Sequence, residues 1–176
     1  TRAGPAFKPD GQPLRAAASG RCAADCCDAG LGMNPAFLPA DWPFKSDGTL
    51  DHCTYGDWVD TASIGSNARN FGATPKPLVG SAYFYRNCRI LQRAAKLLGK
   101  TEDETEFRQL ADHVGQSFNK RFFDAQLGKY ESGTQCSYLL PLAFGLVPAE
   151  NRPQVVENFI DDIMNKHHGH TSVGLI

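Results

Sequence analysis

Gly56-Asp57-Trp58, inside CTYGDWVD at residues 53–60, sets a carboxylate beside an indole in a segment with no helical or strand period. An aromatic face next to carboxylate and amide groups suits a sugar ring: its C–H face packs on the indole while its hydroxyls take directed hydrogen bonds. Two other irregular segments carry matching groups. AQLGKYESGTQ holds Tyr130, Glu131 and Gln135, and HHGHTSVG holds His170. Each also has a plainer duty open to it. Trp58 could anchor its loop in a core, Asp57 could cap a turn, and Glu131 and Gln135 could be solvated residues around a helix start.

Other chemistries find less support. His167, His168 and His170 suggest a metal cluster, but a helix C-terminus suits them as dipole partners, and the sequence shows no carboxylate beside them. Cys22, Cys26 and Cys27 lack paired C-x-x-C spacing; a site completed by His52 or Cys53 is conceivable, yet free thiols and small buried residues explain them better. No glycine-rich phosphate loop, nucleophile elbow or HExxH is present. No metal and no cofactor is expected. With 18 basic and 19 acidic residues the charge nearly balances, and no apolar run is long enough for a membrane span, so neither nucleic acid nor membrane is an expected partner. Cysteine usage leaves the compartment unassigned.

The elements that position these groups are helical. Residues 1–54 read as irregular; up to about Pro43 they are rich in Ala, Gly, Pro and Cys, with a short helix near 14–28 at most. From ATPKPL onward the period is helical. Thr74 is a plausible N-cap, and Val79, Tyr83, Ile90, Ala94 and Leu98 share one face before Gly99 stops the helix. TEDE at 101–104 reads as a capping box, followed by Phe107, Ala111, Val114, Phe118 and Phe122 at spacings of four and three. Lys and Arg along both helices read as a solvated face. After a longer polar loop, QCSYLLPLAFG forms a third helix, shortened or kinked at Pro141. PAENRPQVVENFIDDIMNK forms a fourth, with Val155, Val156, Phe159, Ile160 and Ile163 as its stripe and Gly169 at its end. The fold class is therefore all-α, two antiparallel helical hairpins at about 75–122 and 134–167 behind an irregular N-terminal segment.

Hairpin geometry then gathers the chemistry. The start of a hairpin's first helix and the end of its second lie at one end, so YGDWVD, AQLGKYESGTQ and HHGHTSVG converge while the short turns sit opposite. Long loops on a rigid helical base commonly carry binding groups.

Taken in order, YGDW at 55–58, the run from TPKPLVGSAYFYRNCRILQRAAKLLGKTEDETE to RFFD, then GKYESGTQCSYLLPLAFGLVPAENRPQVVENFIDDI and GHTSVGLI are similar to the catalytic domain of the bacterial α-L-rhamnosidases. The likeness covers residues 55–176. It implies part of an (α/α)6 toroid of six helical hairpins and inverting hydrolysis of terminal α-L-rhamnosides, with a rhamnose-containing glycoside or polysaccharide as partner. Inversion needs a general acid and a general base about 6.5–9.5 Å apart. The family's acid stands in an acidic, arginine-containing stretch before this window and its base in a Trp-Glu stretch after it, so no catalytic residue is assigned. The resemblance offers substrate-binding candidates instead: Trp58 for the rhamnose-binding wall, Asp57 as a hydrogen-bonding or loop-fixing group beside it, and Gln135 and His170 at the rim. In GHTSVG a second Thr is expected before the Gly and is missing.

The chain opens on Thr1 and is expected to be a window of a longer protein, inactive alone and marginally stable without its neighbouring hairpins. Two alternatives stand beside this reading. One is a non-catalytic scaffold of helical hairpins. The other is a different (α/α)6 carbohydrate hydrolase, for which an arginine cluster facing the loops would indicate a uronic acid substrate; the sequence offers none.

Overall fold

The computed structural model describes residues 45, 47–51, 53, 56, 57 and 72–174. Among the described residues, four helices make two consecutive hairpins: α1 (Lys76–Leu97) with α2 (Thr101–Phe122), and α3 (Gln135–Phe144) with α4 (Arg152–Asp161). The expected all-α, two-hairpin architecture is present. A short 3-10 turn, Ala149–Asn151, leads into α4, and a π-helical turn, Asp162–Lys166, carries it on toward the C-terminal segment. The possible helix near residues 14–28 lies outside the described residues.

The turn between α1 and α2 is tight because Gly99 adopts φ +66, in the left-handed region that costs a glycine little. The Lys100 amide then donates to the Ala95 carbonyl and the Gly99 amide to the Lys96 carbonyl, closing the paired bonds of a Schellman motif. That closure corrects the expected capping box. Lys100 is itself the N-cap of α2, its carbonyl takes the Glu104 amide, and its own amide is already used. Glu102, Asp103 and Glu104 still place negative charge on the first turn, where the helix dipole favours it.

Ala111, Val114, Phe118 and Phe122 of α2 are buried as expected. The expected face of α1 needs correction: Ile90 and Leu98 are 51% and 71% exposed, and the buried set is Leu78, Val79, Ala82, Phe84, Tyr85, Cys88 and Ala95. The reason is that α1 packs on both α2 and α3, so its first half is enclosed around most of its circumference and a single stripe does not describe it. On α4, Val155 is buried but Ile160 is exposed.

Basic residues also do more than face solvent. Arg89 donates to the Tyr85 hydroxyl on α1 and to Asp112 on α2, tying the first hairpin together. Arg121 donates to the Thr49 hydroxyl at 2.6 Å and to the Leu50 carbonyl at 3.0 Å, fastening the segment before the hairpins onto α2. Leu50 and Cys53 are fully buried in the common core.

The polar loop between the hairpins contains a feature the sequence reading omits. Phe123–Asp124 pairs antiparallel with Lys129–Tyr130, forming strands β1 and β2. Asp124 Oδ1 accepts the amides of Gln126 and Leu127 and so shapes the turn. The tip then rests on the second hairpin, where the Asn158 side chain donates to the carbonyls of Leu127 and Gly128.

Candidate functional site

At the end of the molecule opposite the tight α1–α2 turn, the segments before α1, before α3 and after α4 are joined by side-chain hydrogen bonds. Asp57 is fully buried. Its Oδ2 accepts from the Thr74 hydroxyl at 2.7 Å, and its Oδ1 accepts the Gly174 amide at 2.7 Å. A buried carboxylate requires such donors, because desolvation without them is costly. Thr74 Oγ1 lies 2.6 Å from Thr134 Oγ1, which brings the base of α1 against the start of α3.

The expected N-cap role of Thr74 is corrected by this geometry. Its hydroxyl is committed to Asp57 and Thr134, α1 begins at Lys76, and Pro75 occupies the cap position without a side-chain bond. Thr134 caps α3 instead, its hydroxyl accepting the Ser137 amide at 3.3 Å while the Ser137 hydroxyl donates to the Thr134 carbonyl at 2.8 Å. Gly72 has φ +93, and a Cβ there would collide with the Asp57 carbonyl oxygen. Residues 57 and 72 are therefore in backbone contact, a closeness only glycine permits.

Gln135 forms the second tie. Only 2% exposed, it donates from Nε2 to the His170 carbonyl at 3.1 Å and accepts the Ser172 amide on Oε1 at 2.7 Å. A side-chain amide thus replaces a neighbouring strand for residues 170–172. His170, held by its backbone, is itself exposed. Of the four expected contact residues, Asp57, Gln135 and His170 belong to this one connected end; Trp58, adjacent to Asp57 in sequence, lies outside the described residues.

Around this cluster sit groups with altered acidity. Glu131 has φ 35, is exposed, and donates its amide to the Phe122 carbonyl. Although the residue as a whole is exposed, partial desolvation of its carboxyl raises the pKa while Arg121 pulls it partly back. Tyr138 is raised by burial first and then by the negative charges of Asp162 and Asp161.

The histidines prove to have a carboxylate neighbour after all. Asp162 is buried, its Oδ2 takes Lys166 Nζ at 2.7 Å, and its Oδ1 lies 2.9 Å from His167 Nδ1. The Asp162 carbonyl is 3.0 Å from the same nitrogen. The hydrogen-bond geometry at Nδ1 is to the Asp162 carbonyl, while Oδ1 is within ion-pair distance only. Among the described residues, no three His, Cys, Asp or Glu side chains are grouped to hold a metal ion. Cys22, Cys26, Cys27 and His52 lie outside them; Cys53 is buried, its sulfur accepting the Gly56 amide at 3.2 Å. No helix among the described residues is long and apolar enough to cross a membrane.

Thr74, Thr134 and Ser172 make ties at this end that the sequence reading does not single out. Thr134 had a usable signal, since Thr three residues ahead of Ser137 at a helix start fits a cap. Nothing local marks Thr74 or Ser172, whose partners are remote in sequence.

The model of the bacterial alpha-L-rhamnosidase six-hairpin glycosidase domain matches residues 42–176. An alpha-L-rhamnosidase of Formosa agariphila is 31% identical over 110 residues, covering 62% of this chain and 12% of the relative. One of Streptomyces avermitilis is 30% identical over 132 residues, covering 74% of this chain and 12% of the relative. The solved Streptomyces avermitilis alpha-L-rhamnosidase complexed with L-rhamnose superimposes with a TM-score of 0.63 at 27% identity, over 74% of this chain and 11% of that one. The alpha-L-rhamnosidase from Dictyoglumus thermophilum gives 0.61 at 29% identity, over 73% of this chain and 14% of that one. The chain thus spans 12% of the length of each of these two curated relatives. The match across residues 42–176, together with these likenesses, means that the chain belongs to the bacterial alpha-L-rhamnosidase six-hairpin glycosidase domain family.

Proposed function

We propose that this chain supplies part of the sugar-binding rim of a glycoside hydrolase that cleaves terminal α-L-rhamnosides with inversion. In this reading residues 55–176 are a piece of its (α/α)6 domain. The proton chemistry belongs to two carboxyl groups elsewhere in the longer protein, one protonating the glycosidic oxygen and one activating water on the opposite face. The 176-residue chain alone would then bind sugar weakly and hydrolyse nothing. Its substrate partner is a rhamnose-containing glycoside or polysaccharide.

The observation that carries this reading is the joining of three loop segments at one end, by Asp57 to Gly174 and by Gln135 to His170 and Ser172, in a chain of this family. Trp58 provides the apolar face for the sugar ring, and the exposed His170 provides a polar contact at the rim. Asp57 and Gln135, both buried, hold in place the segments to which these two residues belong. The L-rhamnose complex of the Streptomyces avermitilis relative supports the choice of sugar.

The test is to express the longer protein that contains this chain and assay aryl α-L-rhamnoside beside aryl β-glucoside and aryl uronide. Selective rhamnoside cleavage is expected. Trp58→Ala should lower kcat/KM by roughly tenfold or more, with loss of binding in ground and transition states alike. Unchanged affinity and turnover in that variant would remove Trp58 from the site, and cleavage of no glycoside would favour a helical binding scaffold.

A further inference from the structure

Thr74 stands where three separate segments meet, and the direction of each hydrogen bond around it follows from counting protons. Its hydroxyl has one proton to give, and the Asp57 carboxylate can only accept, so Thr74 donates to Oδ2 at 2.7 Å. The 2.6 Å contact with Thr134 must then run the other way, with Thr134 donating to Thr74 Oγ1. Thr134 in turn accepts the Ser137 amide at the start of α3. The chain of bonds has a single polarity, from the α3 N-terminus through Thr134 and Thr74 to Asp57, whose other oxygen holds the Gly174 amide. Thr74, Asp57 and Ser137 are all buried, so water does not readily substitute for a missing hydroxyl.

The two threonines therefore connect both hairpins to the two remote partners of the proposed rim, residue 57 and the 170–174 segment. Bonds in series to a carboxylate reinforce one another in a low-dielectric site and fix geometry more narrowly than packing alone. We propose that Thr74 and Thr134 are positioning residues of the rhamnosidase, setting the placement of Asp57 relative to the 170–174 segment without touching substrate. This rests on the reading of the rim given above.

The experiment uses the longer active protein with Thr74→Val, Thr74→Ser and Thr134→Ala. Valine keeps the β-branched shape and removes donor and acceptor together; serine restores both. Well below the melting temperature, Thr74→Val should lower kcat/KM for the aryl rhamnoside by roughly tenfold, with kcat falling along with the rise in KM, as expected when bound geometry is misaligned. Thr74→Ser should return both constants to within about twofold of the parent. The Gly174 amide should exchange faster in the valine variant and recover in the serine variant.

Faster Gly174 exchange with kcat and KM unchanged would overturn the proposal, because the network would be broken and the site indifferent. Equal loss in the valine and serine variants would also overturn it, since the hydroxyl would not be the cause. If Thr74→Val does not fold, Thr134→Ala decides on the same kinetic criterion. An unmutated protein that cleaves no rhamnoside instead fails the reading of the rim itself, which keeps the two failures distinguishable.

Discussion

The Asp57 carboxylate accepts the Gly174 amide at 2.7 Å across 117 positions of sequence. With the Thr74 hydroxyl on its other oxygen, this one side chain sets where the chain enters the first hairpin relative to where it leaves the second. Asp57→Ala should therefore remove two charge-assisted bonds, taking the acceptor from the buried Thr74 hydroxyl and from the half-buried Gly174 amide, a loss of about 3 kcal/mol in urea unfolding followed by the helical signal. Asp57→Asn, which keeps one acceptor, should lose about half as much. A variant as stable as the parent would mean that the carboxylate does not hold the two segments together.

Gly72 and Gly99 separate two reasons for a glycine. Both have positive φ, but a Cβ at Gly99 meets nothing within 4 Å, whereas one at Gly72 runs into the Asp57 carbonyl. Gly99→Ala should thus cost about 1 kcal/mol, the conformational penalty alone. Gly72→Ala should cost about 3 kcal/mol or more, because the backbone must also shift and carry Asp57 with it. Comparing their urea midpoints tests this, and equal losses would show that the contact between residues 57 and 72 carries no weight.

The parts of the molecule legible in the sequence are those governed by local period. The stripe of Ala111, Val114, Phe118 and Phe122 emerges because α2 buries one face only. On α1 the same reasoning chooses Ile90 and Leu98, since a helix enclosed by two neighbours has no single stripe to reveal its orientation. Capping residues escape local rules where a hydroxyl or amide has another partner: Thr74 serves Asp57, and the Lys100 amide serves Ala95. Convergence of the loops followed from hairpin topology. Its mechanism, Gln135 acting as a surrogate strand for residues 170–172, has no local pattern from which it could be read.

Cys88 offers a check on packing that does not depend on activity. It is fully buried in α1, and burial pushes its thiol pKa up to about 12. The thiolate is the reactive form, so at pH 8 the folded protein holds almost none of it. Iodoacetamide should leave Cys88 unmodified in native protein over hours and label it within minutes in strong denaturant, as read by mass spectrometry of its peptide. Rapid native labelling would place Cys88 outside the core.

Asn119 links the two hairpins in a way that a paired substitution can measure. Its Oδ1 accepts the Tyr130 hydroxyl at 2.8 Å, and its Nδ2 donates to the Leu146 carbonyl at 2.7 Å, so one α2 side chain serves both β2 and the turn after α3. Burial raises the Tyr130 pKa, which keeps its phenol protonated as the donor across ordinary pH. Tyr130→Phe removes a single neutral bond and should cost about 1 kcal/mol. Asn119→Ala strands the phenol and the carbonyl together and should cost about 2–3 kcal/mol. With Tyr130→Phe already present, Asn119→Ala should cost less than it does alone, because the phenol is no longer there to be left unpaired. Strict additivity in that double-mutant cycle would mean that the 2.8 Å contact contributes nothing to holding the hairpins in register.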